Sequence, residues 1–216
     1  MIRRRLRDDR GQAFPIYAVA IVGLLFAALA FFVVGQAGVT RSNAQGAADA
    51  AALAAAGEAR DNVFLGLDLL NLKPTDWAKL AEGDLLTGKG ACGKADELAA
   101  LNDATTAQCN AAIPVVTVRV RTNGTVGRSV VPGTENVHGE ATAKARIKPR
   151  CSLRSAPVPT PPTQTADPTP AASPSPSPGA GGVTFVCDGK PLTLDPAKPG
   201  PLTKLARALF TVRLVD

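Results

Sequence analysis

Apolar positions along this chain fall into three regimes: a continuous run, a small-residue run and short alternating runs. Residues 14–35 are almost continuously apolar, and no charged side chain occurs between residues 11 and 40. At 1.5 Å per residue those 22 positions predict a helix of about 33 Å, against about 30 Å of bilayer hydrocarbon. Pro15 falls in the first turn, where its missing N–H does no harm. The run is longer than the apolar core of a secretory signal. Its small-x-small sites, Ala18-Val19-Ala20 and Ala28-Leu29-Ala30, lie inside it. An uncleaved transmembrane helix is therefore expected over 13–38. The helix should not stop there, because ten of the sixteen residues from 44 to 59 are Ala, the strongest helix former. A stalk over 39–60 is the expected continuation. Its face of Ala47, Ala48, Ala51, Ala52 and Ala55 admits another helix at close range. A stiff stalk touching only its own domain fits the same residues.

Beyond residue 61 the pattern shortens. Residues 62–110 read as short helices and loops. One apolar stretch over 63–72 ends at Lys73-Pro74, a second begins near Thr75 and ends at Gly83, and a third spans 96–102. Trp77, the single Trp, is expected as a buried anchor for them. Val116, Val118 and Val120 alternate with Thr117, Arg119 and Arg121, which is the period of a half-buried strand. Asn123-Gly124 predicts a two-residue hairpin returning over 125–131, with Val116 facing Val131 and Arg119 facing Arg128. Ala141, Ala143, Ala145 and Ile147 give a third strand, alternating with Lys144, Arg146 and Lys148. The expected fold class is α+β: a long N-terminal transmembrane helix extending into an Ala-rich helix, then a small extracytoplasmic domain over 61–153. That domain has short helices and an antiparallel sheet of three or more strands, apolar on one face and basic on the other.

A linker interrupts this order. Nine of the 22 residues from 157 to 178 are Pro, so 154–182 is expected as an extended spacer rather than part of a core. After it, Thr184 to Cys187 and Leu192 to Leu194 read as strands around Asp188-Gly189. Leu202 to Phe210 has helical spacing, and a last strand is expected from Thr211. This segment, 183–216, is too short to stand alone and should dock on the main domain.

Charge adds topology. The net charge is +6, but its densest part, Arg3, Arg4, Arg5, Arg7 and Arg10, lies directly before the apolar span. Only Arg41 follows closely, which places the N-terminus, residues 1–12, in the cytoplasm and the rest of the chain outside. Nucleic acid is not an expected partner: the other cations are scattered, and aromatics make up 4% of the chain.

Four cysteines, Cys92, Cys109, Cys151 and Cys187, follow the span, on the side expected to be oxidising. Three pairings are possible. Cys92–Cys109 with Cys151–Cys187 is favoured, since the first closes a local loop and the second ties the C-terminal segment back across the linker. No metal or cofactor site is expected, because no C-x-x-C occurs and His138 is the single His. Nor is a catalytic residue: His138 has no G-x-S-x-G beside it, and the four glycines from Gly83 to Gly93 lack the G-K-[ST] of a phosphate loop.

The stretch from Asp9-Arg10-Gly11-Gln12 through the apolar span to the AADAAALAAA run at 47–56 resembles the N-terminal segment of TadE/TadG-like proteins of the Flp (tight-adherence, type IVb) pilus system. The resemblance covers 8–61. It implies a non-enzymatic bacterial membrane protein that helps assemble or anchor such a pilus, with lipid and other pilus-assembly or pilin-like proteins as partners. It also implies a processing point between Gly11 and Gln12. Here the chain departs from the prepilin pattern, having Ile16 where that pattern has Glu. The metal-dependent adhesion motif of longer TadG proteins is missing from the sequence. The alternative function is an anchored binding module that meets cell wall or a surface partner through its basic sheet face.

Overall fold

The computed structural model describes residues 13–127, 133–156 and 182–216. Its first element, α1, is one helix from Ala13–Asp61, 49 residues or about 73 Å long. Gly66, at φ +85°, lies beyond its end, and the apolar stretch at 62–72 forms successive turns rather than the expected helix. Val63, Phe64 and Leu69 are nonetheless buried there. Helix α2 (Pro74–Glu82) follows. Asp76 accepts the Lys73 N–H at its start, and Gly83 caps its end at φ +90°. Helix α3 (Ala91–Leu101) runs back alongside α1.

Four strands form the main antiparallel sheet, in the order β1 (Ala104–Ala112), β2 (Val115–Thr125), β3 (His138–Pro149) and β7 (Phe210–Val215). A second sheet is formed by β4 (Cys151–Ser155), β5 (Val183–Cys187) and β6 (Lys190–Leu194). Helix α4 (Leu202–Leu209) leads into β7. The C-terminal segment supplies an edge strand to the main sheet. The α+β class holds, as do the period-two inner faces: Val116, Val118, Val120, Ala145 and Ile147 are buried.

The hairpin at Asn123-Gly124 does not form. β2 runs through it and pairs with β1 on one side and β3 on the other. Three hydrogen bonds set this course. The Asn123 N–H donates to the Asp103 carbonyl at 2.7 Å, and the buried Thr122 hydroxyl accepts the Gly139 N–H at 2.9 Å while donating to the Gly124 carbonyl. The Asn123 N–H and the Gly124 carbonyl are thereby already paired. The expected partners Arg128 and Val131 lie outside the described residues. Arg119 instead bonds Glu140.

Candidate functional site

Helix α1 has two halves with opposite environments. From Phe14 to Val39, fourteen large apolar side chains are exposed, Phe14 at 78% and Leu25 at 59%. The most apolar stretch has a mean hydropathy of 2.7 with none of it buried in the protein, so this helix is long and apolar enough to cross a membrane. At about 2 kcal/mol per covered side chain, leaving these fourteen in water forgoes about 28 kcal/mol. That exceeds the 5–15 kcal/mol that holds an ordinary domain together.

The other half is the spine of the domain core. Ala44, Ala47, Ala48, Ala51, Ala52, Ala55, Ala56 and Ala59 are each at most 1% exposed. Their spacing of three and four puts them on one face. That face packs on the inner side of the main sheet, with α3 and α4 also against the helix. Of the two readings of this run, contact with another helix or with the chain's own domain, the packing fits the second: one face of 44–59 is inside the domain, and Ala47, Ala48, Ala51, Ala52 and Ala55 are buried on it. The reason is size. Only methyl side chains let a helix lie this close to a sheet whose inner positions are themselves Ala and Val.

The domain begins where the exposed apolar surface ends. At the start of β3, a Cβ on Gly139 would lie 2.5 Å from the Thr40 carbonyl oxygen and 3.1 Å from the Ala44 Cβ. Glycine is what lets β3 meet the helix there, one residue past Val39. A polar cleft lined by Thr40, Asn43, Asp103 and Thr122 opens beside this junction. His138 Nδ1 lies 2.7 Å from the Thr122 carbonyl oxygen, so His138 is tied to the backbone of the junction. At the far end, the Arg207 guanidinium bonds Asp61, the last residue of α1, at 2.8 Å, with Arg60 also on the carboxylate. Burial pushes the Asp61 carboxyl up. The Arg207 and Arg60 hydrogen bonds and charges outweigh it and hold the pKa below the ordinary value.

The cysteines pair as Cys92–Cys109, joining α3 to β1, and Cys151–Cys187, joining β4 to β5. Among the described residues no group of three His, Cys, Asp or Glu side chains converges as a metal site. Gly11 and Gln12, with the basic segment 1–12, lie outside the described residues, as does 157–181 of the linker. In the sequence the junction of Thr40 with Gly139 is marked faintly, by a glycine at the start of an alternating strand.

Residues 11–58 match a family model described as Flp pilus-assembly TadE/G-like. The match covers 48 of 216 residues, which is α1 almost alone. It supports a role in pilus assembly and makes the N-terminal segment TadE/TadG-like. No curated protein and no solved structure matches the chain.

Proposed function

From the TadE/G-like character of residues 11–58, we propose that this chain is a single-pass membrane protein acting structurally, not catalytically, in assembling or anchoring a Flp-type pilus. Residues 13–38 lie in lipid, residues 1–12 in the cytoplasm, and the folded domain outside. The orientation rests on five Arg before the span against Arg41 after it. The observation that carries the reading is the split of α1: the part inside the family match but outside the domain core is the part with exposed apolar side chains.

Because the Ala face is consumed by the chain's own domain, contact with other membrane proteins falls to the lipid-embedded half. Gly23 and Ala27, four residues apart, offer a small-x-x-x-small site there, and nothing lies within 4 Å of a Cβ built on Gly23. Leu25→Arg tests the reading in cells that make the appendage. A charge at mid-span costs about 2.5–3.5 kcal/mol on insertion scales, less than the rest of the span gains in lipid, so the variant should stay in the membrane fraction while helix packing there is disturbed and pilus yield falls. Normal pilus yield with Leu25→Arg would remove the basis for it.

A further inference from the structure

The outer face of the main sheet, opposite α1, collects charge of one sign. Arg119 and Arg121 on β2, Lys144, Arg146 and Lys148 on β3, and Arg213 on β7 all alternate with the buried inner positions. Against these six cations the described residues of the face supply one carboxylate, Glu140, which bonds Arg119. The other five make no ion pair among the described residues. Arg146 even stands directly opposite Arg213, a cross-strand placement that destabilises a sheet. A merely solvated face has no need of that arrangement.

We infer that this face binds a linear polyanion outside the membrane. Three features select that class of partner. Alternate residues of a strand are about 6.6 Å apart, so Lys144, Arg146 and Lys148 form a straight ladder of positive charge. Arg213 flanks it on β7, opposite Arg146, while Arg121 stands farther along the face, opposite Glu140 on β3. A polymer with one negative charge per few ångströms can follow such a ladder and release its counterions on binding. The face also lacks an aromatic anchor: Phe210, the aromatic of β7, is buried. A specific protein interface normally centres on such an anchor. Finally, β3 rises beside α1 from Gly139 at Thr40, while Arg150, just past its end, bonds the α4 residue Leu209 near Asp61. The sheet therefore stands along the helix axis and its outer face looks sideways, away from the lipid headgroups that α1 enters. A second copy would present the same positive face and be repelled.

The test uses the full chain in non-ionic detergent with long-chain inorganic polyphosphate as the probe, which makes it independent of membrane insertion and of pilus assembly. With the four cations Lys144, Arg146, Lys148 and Arg213 engaged, affinity should fall about 100-fold between 50 and 200 mM salt. Lys144→Glu with Arg146→Glu should weaken binding at least tenfold. Both side chains are exposed and the second change replaces a like-charge pair, so folding, read by the fluorescence of the single Trp77, should be unchanged. Lys198→Glu with Lys204→Glu makes the same change in net charge on other exposed positions and should leave binding within twofold. Equal loss in both double variants would reduce the effect to net charge and overturn the site, as would a wild-type chain that fails to bind polyphosphate at 50 mM salt. A chain that binds only acidic proteins under these conditions would replace the polymer with a protein partner and overturn the proposal too.

Discussion

Gly139→Ala adds one methyl group at the place where β3 meets α1. The new Cβ would sit 2.5 Å from the Thr40 carbonyl oxygen, well inside contact distance, and 3.1 Å from both the Thr40 Cγ2 and the Ala44 Cβ. The first obstacle is helix backbone and the Ala44 methyl has no rotamer to yield, so strand and helix must separate. Overpacking of this kind costs about 1–3 kcal/mol. For a chain of this size that is a fall of roughly 2–12 °C in unfolding midpoint. Gly46→Ala is the matched control: it lies in the same helix one turn on, exposed, with nothing within 4 Å of a built Cβ. There the methyl gains about 0.8–1 kcal/mol of helix propensity, so the midpoint should rise by a few degrees. Trp77 reports both, being the only Trp, fully buried, and edge-on to Phe185 at 6.3 Å between ring centroids. Thermal unfolding of the detergent-solubilised chain, followed by Trp77 emission, should move in opposite directions for the two variants. A Gly139→Ala protein with the wild-type midpoint would refute the close approach of β3 to α1.

The disulfides close loops of different length, 17 and 36 residues of separation. Opening Cys92–Cys109 with serines should therefore cost about 3 kcal/mol and opening Cys151–Cys187 nearer 4 kcal/mol, measured by denaturant titration. Asp61 has a lowered folded pKa, so its contribution is fully present above the ordinary carboxylate value near 3.8 and is lost as pH falls through the lower folded one. Asp61→Asn should reduce stability at neutral pH and flatten the acid limb of the stability profile; an unchanged acid limb would exclude the Arg207 pair as its source. Trp77→Ala, by emptying a fully buried site, should cost about 3–5 kcal/mol in the same denaturant assay, now followed by circular dichroism.

The legible parts of the fold are those with strong contrast between adjacent positions. The alternation of Val116, Val118 and Val120 with Thr117 and Arg119 shows which side of β2 is inward, and the structure agrees. β1 carries no such contrast, since Ala104 to Ala112 contains no large apolar residue, and only its pairing with β2 and its bond to α3 through Cys109 define it as a strand. β4 is hidden for a related reason: it abuts the Pro-rich stretch and acquires its ladder from β5, beyond the linker. The Ala-rich half of α1 is the most instructive case. Its buried and exposed sides both contain Ala and other small residues, so the sequence predicts a helix without predicting what it touches. That choice was made by the shape of the sheet, which fits methyl groups at close range. The surfaces argued for function divide in the same way. The apolar span and the alternation that generates the basic face are plain in the sequence, whereas the placement of Arg146 opposite Arg213 depends on a strand sixty-odd residues away.

On the proposed reading one helix serves as lipid anchor along its first half and domain core along its second. Paramagnetic broadening of backbone amide signals, with the chain in lipid nanodiscs, tests this directly by comparing a lipid-borne spin label with a water-soluble one. Amides of residues 14–38 should be broadened by the lipid label alone, and those of 44, 47, 48, 51, 52, 55 and 59 by neither. Broadening of the second set by the soluble agent would mean a free stalk, and protection of the first set from the lipid label would mean that something other than lipid covers it.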